Sequence, residues 1–146
     1  MEKKTKVIVS HQSQCDNSEI EKLISYLEEA GFEVQHGSFS EEDFAITIRD
    51  SDCYVCVLEQ DTYKSKEVAL EIVIAAKNGK QIFAIFCPSI TLSINIPPGI
   101  DDFATGITEW NLPKLAKGLS GKDIGFSDQQ GQSKKISRST TTPPCK

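Results

Sequence analysis

The sequence predicts an α/β domain in which helices cover both faces of a four- or five-stranded parallel sheet. Short apolar runs suited to buried strands alternate along the chain with amphipathic stretches suited to helices. Two of the runs, Cys53–Leu58 and 82–87, are apolar on both faces, as in strands that are covered from both sides. These two strands are therefore expected at or next to the centre of the sheet. Alternation at this spacing also favours right-handed βαβ units.

Each element has its own local signal. In chain order, the predicted elements are a strand at Lys6–Ser10, a helix from residue 17 or 18 to Gly31, a strand at 32–35, a helix at 41–50, a strand at Cys53–Leu58, a helix at 65–79, a strand at 82–87, an edge strand at 106–110 and a helix at Leu112–Leu119. Residues 89–106 contain two prolines followed by glycine and are predicted to be irregular.

The helix predicted at 65–79 is the most unusual stretch of the chain. Ser65 is a good N-cap, Glu67 suits the first turn, and Gly79 ends the pattern. The helix is apolar nearly all the way round. Between Val68 and Ala76, Glu71 is the one ionisable residue. Such a helix is expected to be buried on more than one side, by its own domain or by a second copy of the chain. A carboxylate in that setting must have a hydrogen-bonding or charged partner, have a shifted pKa, or serve in catalysis or binding.

Composition excludes several classes of protein. The net charge is −5, and the segment 127–146 carries four basic residues against one acidic residue, which leaves residues 1–126 at −8. This charge argues against a nucleic-acid surface. No stretch reaches the ~20 apolar residues that cross a membrane, and no signal peptide is recognisable. We predict one domain at 1–126, followed by a disordered tail at 127–146 that is rich in Ser, Thr and Lys.

The cysteines are predicted to be reduced. There are five, an odd number, and most lie in apolar strands, which is typical of a cytoplasmic protein. Cys53 and Cys56 form a CxxC string, but positions three apart on a strand point to opposite faces, so the pair is not expected to bind a metal. The sequence therefore predicts no metal site and no bound cofactor.

Polar residues gather where the predicted strands end. Parallel strands bring Ser10 and His11, Ser38 and Phe39, and the loop with Tyr63 and Ser65 to one edge of the sheet, close to Glu71. The sequence contains no GxGxxG, no P-loop and no GxSxG motif. A lone buried carboxylate beside hydroxyl and aromatic side chains suits stabilisation of the positive charge that develops on a sugar when a glycosidic bond breaks.

The central part of the chain resembles the core of TIR and TIR-like domains. The resemblance rests on Ser51-Asp52, the following apolar strand, Tyr63 and Ser65, then Glu71 with Ala75, and Gly79-Lys80 before the next strand. The opening stretch VIVSHQS at residues 7–13 is similar to the first strand and loop of that family. Glu67 stands at the position of the family's tryptophan.

The resemblance implies a three-layer flavodoxin-like fold and a role for Glu71. In catalytic members the matching glutamate cleaves NAD at the nicotinamide–ribose bond, by hydrolysis or cyclisation. The resemblance thus implies a role for this chain in prokaryotic immune signalling. NAD would then be a substrate and not a cofactor, bound by Ser10, His11, Ser38, Phe39, Tyr63 and Ser65. Other members only assemble with a second TIR domain, so the chain is expected to form homo-oligomers or TIR–TIR assemblies.

Two alternatives remain open at this stage. Glu71, Ala75 and Gly79-Lys80 are also similar to nucleoside 2-deoxyribosyltransferase-like proteins, in which the glutamate is the nucleophile at a deoxyribose. A non-catalytic module that binds a nucleotide or assembles with a partner is the third hypothesis. The two enzyme hypotheses share cleavage of an N-glycosidic bond.

Overall fold

A computed structural model describes residues 5–11, 15–37, 40–88, 96–128 and 131–132. The strands are β1 (Lys6–Ser10), β2 (Glu33–Gly37), β3 (Cys53–Leu58), β4 (Gln81–Phe86) and β5 (Gly106–Thr108). The helices are α1 (Asn17–Glu29), α2 (Glu41–Arg49), α3 (Lys66–Lys77), α4 (Pro98–Phe103) and α5 (Leu112–Leu119), and a short 3-10 turn, Thr62–Lys64, precedes α3. None of the helices in these ranges is long and apolar enough to cross a membrane.

The five strands form one parallel sheet in the order β2-β1-β3-β4-β5. This is the strand order of flavodoxin-like folds, and the predicted α/β class is confirmed. β3 occupies the centre and β4 lies beside it, as their double-sided apolarity predicts. The order reverses between β1 and β3, and ligands in open parallel sheets bind near such a reversal, beyond the carboxyl ends of the strands.

Alternate residues of each strand divide the core into two layers. Val7 and Val9 of β1 pack with α1 and α5, whereas Ile8 packs with α2, α3 and α4 on the other face. Cys53 belongs to the first layer and Cys56 to the second. The expectation that the two thiols point to opposite faces is therefore confirmed, and both are buried and free.

The ends of α3 follow the sequence signals closely. The Ser65 hydroxyl accepts a hydrogen bond from the Val68 amide at 3.1 Å, which satisfies one of the free amides of the first turn. Gly79 has a positive φ of 71°, the left-handed conformation that commonly ends a helix. Val68, Glu71, Ile72 and Ala75 are the buried residues of α3.

Two elements differ from the prediction. β2 extends through His36 to Gly37, which the sequence pattern assigns to a loop, because pairing with β1 continues to the register Ser10↔Gly37. Residues 98–103 form α4 within a passage predicted to be irregular. Pro98 occupies the first turn of this helix, where a missing amide hydrogen costs nothing.

The prediction that all the cysteines are reduced is wrong for Cys15 and Cys87, which form a disulfide. Cys15 follows β1 and Cys87 follows β4, so the bond spans the end of the central strand β3. The Cys15 amide also donates to the buried carboxylate of Glu59 at 2.8 Å, and Glu59 is the first residue after β3. Sequence spacing alone cannot reveal this pairing, since 72 positions separate the two cysteines.

The segment after α5 returns to the sheet. Phe126 forms a parallel bridge with Ile107 of β5, and the Ser127 amide donates to the Ile107 carbonyl at 2.8 Å. The Ser127 hydroxyl is buried and accepts a hydrogen bond from Lys114 of α5 at 2.8 Å. The chain thus continues its contacts with the domain through residue 127, the first position of the predicted tail.

Candidate functional site

Glu71 lies in the second turn of α3, on the side of the helix that faces the sheet. Its side chain is buried, with 5% of the residue surface exposed. Two hydroxyl groups donate to the same carboxylate oxygen, Oε1: the Ser10 hydroxyl at 2.7 Å and the Tyr54 phenol at 2.9 Å. Within the described part of the chain no group donates to Oε2. One carboxylate oxygen is therefore held by two hydroxyl groups, whereas none of the described residues donates to the other.

The surroundings of Glu71 shift its ionisation. Burial raises the pKa of the Glu71 carboxyl above its ordinary value of 4.5, and the hydrogen bonds from Ser10 and Tyr54 oppose that shift. The negative charge of Glu67, one turn earlier, raises the pKa further. Hydrogen bonds to a carboxylate favour its charged form, so the two hydroxyls reduce the upward shift of the pKa that burial causes.

Tyr54 is the site residue that the sequence analysis missed. It occupies the second position of β3, is fully buried, and packs edge to face against Phe44 of α2 with ring centroids 5.5 Å apart. Burial raises the pKa of the Tyr54 phenol, so the group remains a protonated donor. A tyrosine within an apolar strand is itself a signal, because a buried phenol needs a hydrogen-bond partner. The partner, Glu71, cannot be identified without the packing of α3 on β3.

A cleft of about 230 Å³ opens between α2 and α3 beside Glu71. Phe44, Leu70 and Ile74 supply its apolar walls. Its charged lining consists of Glu41, Lys66, Glu67 and Glu71. Among these carboxylates only Glu71 is buried. The cleft is somewhat smaller than the roughly 300–1,000 Å³ of most small-molecule pockets.

The other predicted site residues that the structure describes do not line this cleft. Ser10 contacts Glu71 directly, while Ser65 caps α3. His11 lies at the end of β1 with its Nε2 atom 3.4 Å from Nδ1 of His36 at the end of β2. Tyr63 belongs to the 3-10 turn before α3, and the Lys64 ammonium lies 5.6 Å from the centre of its ring. The predicted ligand contacts of Ser38 and Phe39 lie outside the described residues.

No group of three or more His, Cys, Asp or Glu side chains in the described ranges is arranged to hold a metal ion. The chemistry open to this arrangement is that of a carboxylate positioned by hydroxyl donors. Such a group can stabilise a developing cation or attack it as a nucleophile.

Neither a scan against protein-family models nor a search of curated proteins returns a match for this chain. Function is therefore inferred from the chemistry of Glu71 and its neighbours.

We expect Tyr54→Phe to raise the pKa of Glu71 further. The substitution keeps the ring that packs against Phe44 but removes the 2.9 Å hydrogen bond that favours the charged carboxylate. Carbon-13 NMR titration of the labelled Glu71 carboxyl measures the shift directly. Tyr26→Phe is the matched control, because Tyr26 lies on α1 at the other face of the sheet. An unchanged midpoint in Tyr54→Phe would show that the phenol does not stabilise the carboxylate.

Proposed function

We propose that this protein cleaves the N-glycosidic bond between nicotinamide and ribose in NAD or a related nucleotide. The observation that supports the proposal is the buried Glu71 carboxylate in the wall of a cleft, with one oxygen held by Ser10 and Tyr54. A carboxylate positioned in this way stabilises positive charge without reorganising during the reaction. The resemblance of the surrounding sequence to TIR-like domains supports the same reaction.

In this reaction the bond between C1′ of the ribose and the ring nitrogen of nicotinamide breaks. The electron pair leaves with the nitrogen, so nicotinamide departs as a neutral molecule and positive charge develops on the ribose. The free oxygen of Glu71 stabilises that charge. Water then forms the new bond at C1′ and loses a proton to solvent, or a nucleophile within the substrate closes a ring. No oxidant or reductant is required.

The deoxyribosyltransferase alternative uses the same carboxylate in another way. Glu71 would then attack C1′ of a deoxynucleoside and form a covalent glycosyl–enzyme intermediate. Mass spectrometry of protein trapped with a deoxynucleoside detects the added mass on the peptide that contains Glu71. The non-catalytic alternative predicts binding of a nucleotide with no release of base.

The test of the proposal is incubation of the full chain with NAD, at low and at high protein concentration, followed by chromatography. Release of nicotinamide together with ADP-ribose or a cyclised isomer is expected. The same incubation with deoxynucleosides is expected to release no base. Intact NAD at every concentration would contradict the proposal, and base released only from deoxynucleosides would favour the alternative enzyme.

We further propose that the chain self-associates through the outer face of α3. Leu70 and Val73 are large apolar side chains of α3, and they are 38% and 37% exposed. A second copy of the chain would remove this apolar surface from water. Light scattering across a concentration series is expected to show oligomers, and Val73→Glu is expected to weaken them without lowering the melting temperature. Ser25→Glu adds the same charge at an exposed position of α1, on the other face of the sheet, and serves as the control. A strict monomer at high concentration would contradict the proposal.

A further inference from the structure

The cleft beside Glu71 has an excess of negative charge. Among the described residues, three carboxylates line it, those of Glu41, Glu67 and Glu71, against the single ammonium of Lys66. Glu67 is close enough to Glu71 to raise its pKa, so its charge is felt within the cleft. A phosphate group in the cleft would be repelled by these carboxylates, whereas a cation would be attracted.

The amino ends of α2 and α3 do not offset this charge. The first turn of a helix normally attracts anions, because its amide groups have no partner within the helix. Here Ser40 accepts a hydrogen bond from the Asp43 amide, and Ser65 accepts one from the Val68 amide. The first turn of α2 also carries three acidic residues of its own, and that of α3 carries Glu67. The positive ends of both helices are thus already compensated by the chain itself.

The hydrogen-bond donors of the site also restrict the leaving group. A neutral nucleoside needs a proton on its base before the base can leave, which requires a general acid aimed at the base. The Ser10 and Tyr54 hydroxyls instead donate to Glu71, inside the protein. Lys66 is a further donor among the described residues that line the cleft, but an exposed lysine ammonium is a weak general acid. A base bound through a quaternary, positively charged nitrogen needs no such proton, because it becomes neutral when the bond breaks. The donors around Glu71 therefore suit a cationic base.

We propose that the cleft selects N-ribosyl cations without phosphate groups, such as nicotinamide riboside, over the dinucleotide NAD. This inference rests on the proposed function, since it names the substrate class of the same site. The cationic base lies between the carboxylates of Glu41 and Glu67, and the ribose faces Glu71. The same carboxylates repel the phosphate groups of a nucleotide, so phosphates weaken binding instead of strengthening it.

The first experiment compares kcat/KM for nicotinamide release from nicotinamide riboside and from NAD. The wild-type chain is expected to favour nicotinamide riboside by about tenfold, the size of effect that a few exposed carboxylates produce in water. In Glu41→Gln/Glu67→Gln that preference is expected to fall by about tenfold. The control, Glu21→Gln/Glu28→Gln, removes the same charge from exposed positions of α1 that do not line the cleft, and its preference is expected to stay within about twofold of wild type. A larger kcat/KM for NAD in the wild-type chain would overturn the inference and leave N-glycosidic cleavage standing.

The second experiment needs no turnover. NMR titrations compare 1-methylnicotinamide, whose methylated ring nitrogen makes it a cation without a glycosidic bond, with neutral nicotinamide. Tighter binding of the cation by about tenfold is expected, with the advantage lost in Glu41→Gln/Glu67→Gln. Equal affinity for the two compounds would overturn the inference whatever the protein cleaves. Preferential binding of the cation, without cleavage of any N-glycoside, would support the cleft's charge selectivity and refute the proposed function.

Discussion

Glu71→Gln is expected to reduce nicotinamide release by about two orders of magnitude or more while leaving the fold intact. The amide oxygen still accepts hydrogen bonds from Ser10 and Tyr54, so the shape of the site is kept and only the charge is removed. A charge aimed at a transition state contributes several kcal/mol, and about 1.4 kcal/mol corresponds to a factor of ten in rate. The measurement is kcat/KM for nicotinamide release, together with circular dichroism to confirm folding.

The control for this variant is Glu28→Gln, which removes a carboxylate from the exposed surface of α1 outside the cleft. Its activity is expected to match that of the wild-type chain. Cleavage by Glu71→Gln at the wild-type rate would refute the assignment of Glu71 as the catalytic residue. Loss of activity in both variants to the same extent would point to net charge, and not to a specific role of Glu71.

The difference in stability between Glu71→Gln and the wild-type chain is expected to depend on pH. Burial raises the pKa of Glu71 in the folded chain, so the folded state holds the proton more tightly than the unfolded state. The contribution of Glu71 to wild-type stability is therefore full below pH 4.5, its ordinary pKa, and is lost as pH rises through the folded pKa. Glu71→Gln lacks this loss and is expected to melt at a higher temperature than wild type at pH 7. The gap is expected to narrow as pH falls toward 4.5.

Loss of the Cys15–Cys87 disulfide is expected to give the second large effect, on stability. The bond closes a loop of 72 residues, and cross-links over loops of this size contribute roughly 2–4 kcal/mol by restricting the unfolded chain. For a domain of this length, Cys15→Ala/Cys87→Ala is expected to lower the melting temperature by about 10 °C. Calorimetry of the variant and of the wild-type chain, each with and without reductant, provides the measurement.

Reductant serves as the internal control for the disulfide. It is expected to lower the melting temperature of the wild-type chain toward that of the double variant and to leave the double variant unchanged. Cys53→Ala is the matched substitution, because it removes a buried sulfur without breaking a disulfide. Cys53 is a buried free thiol whose pKa burial raises to about 12. A wild-type melting temperature that does not respond to reductant would contradict the disulfide's contribution. Cytoplasmic location stays a prediction, and the Cys15–Cys87 disulfide argues against it, because disulfides form mainly in oxidising compartments.

Much of the fold is readable from local patterns in the sequence. The all-apolar strands β3 and β4 predict a buried parallel sheet because both of their faces must be covered. The borders of α3 follow from Ser65 and Gly79, whose preferences are local and do not depend on distant contacts. Glu71 is a candidate from its sequence neighbours alone, because an ionisable group within an apolar helix requires an explanation.

The tertiary structure decides what surrounds Glu71. Ser10 and Tyr54 lie 61 and 17 positions away from it, and only the packing of α3 on β1 and β3 brings their hydroxyls to one carboxylate oxygen. The disulfide depends in the same way on strand order, because β1 and β4 flank β3 and their following residues meet above it. Sequence periodicity records which face a side chain takes, whereas the pairing of side chains from distant segments is set by sheet order and helix packing.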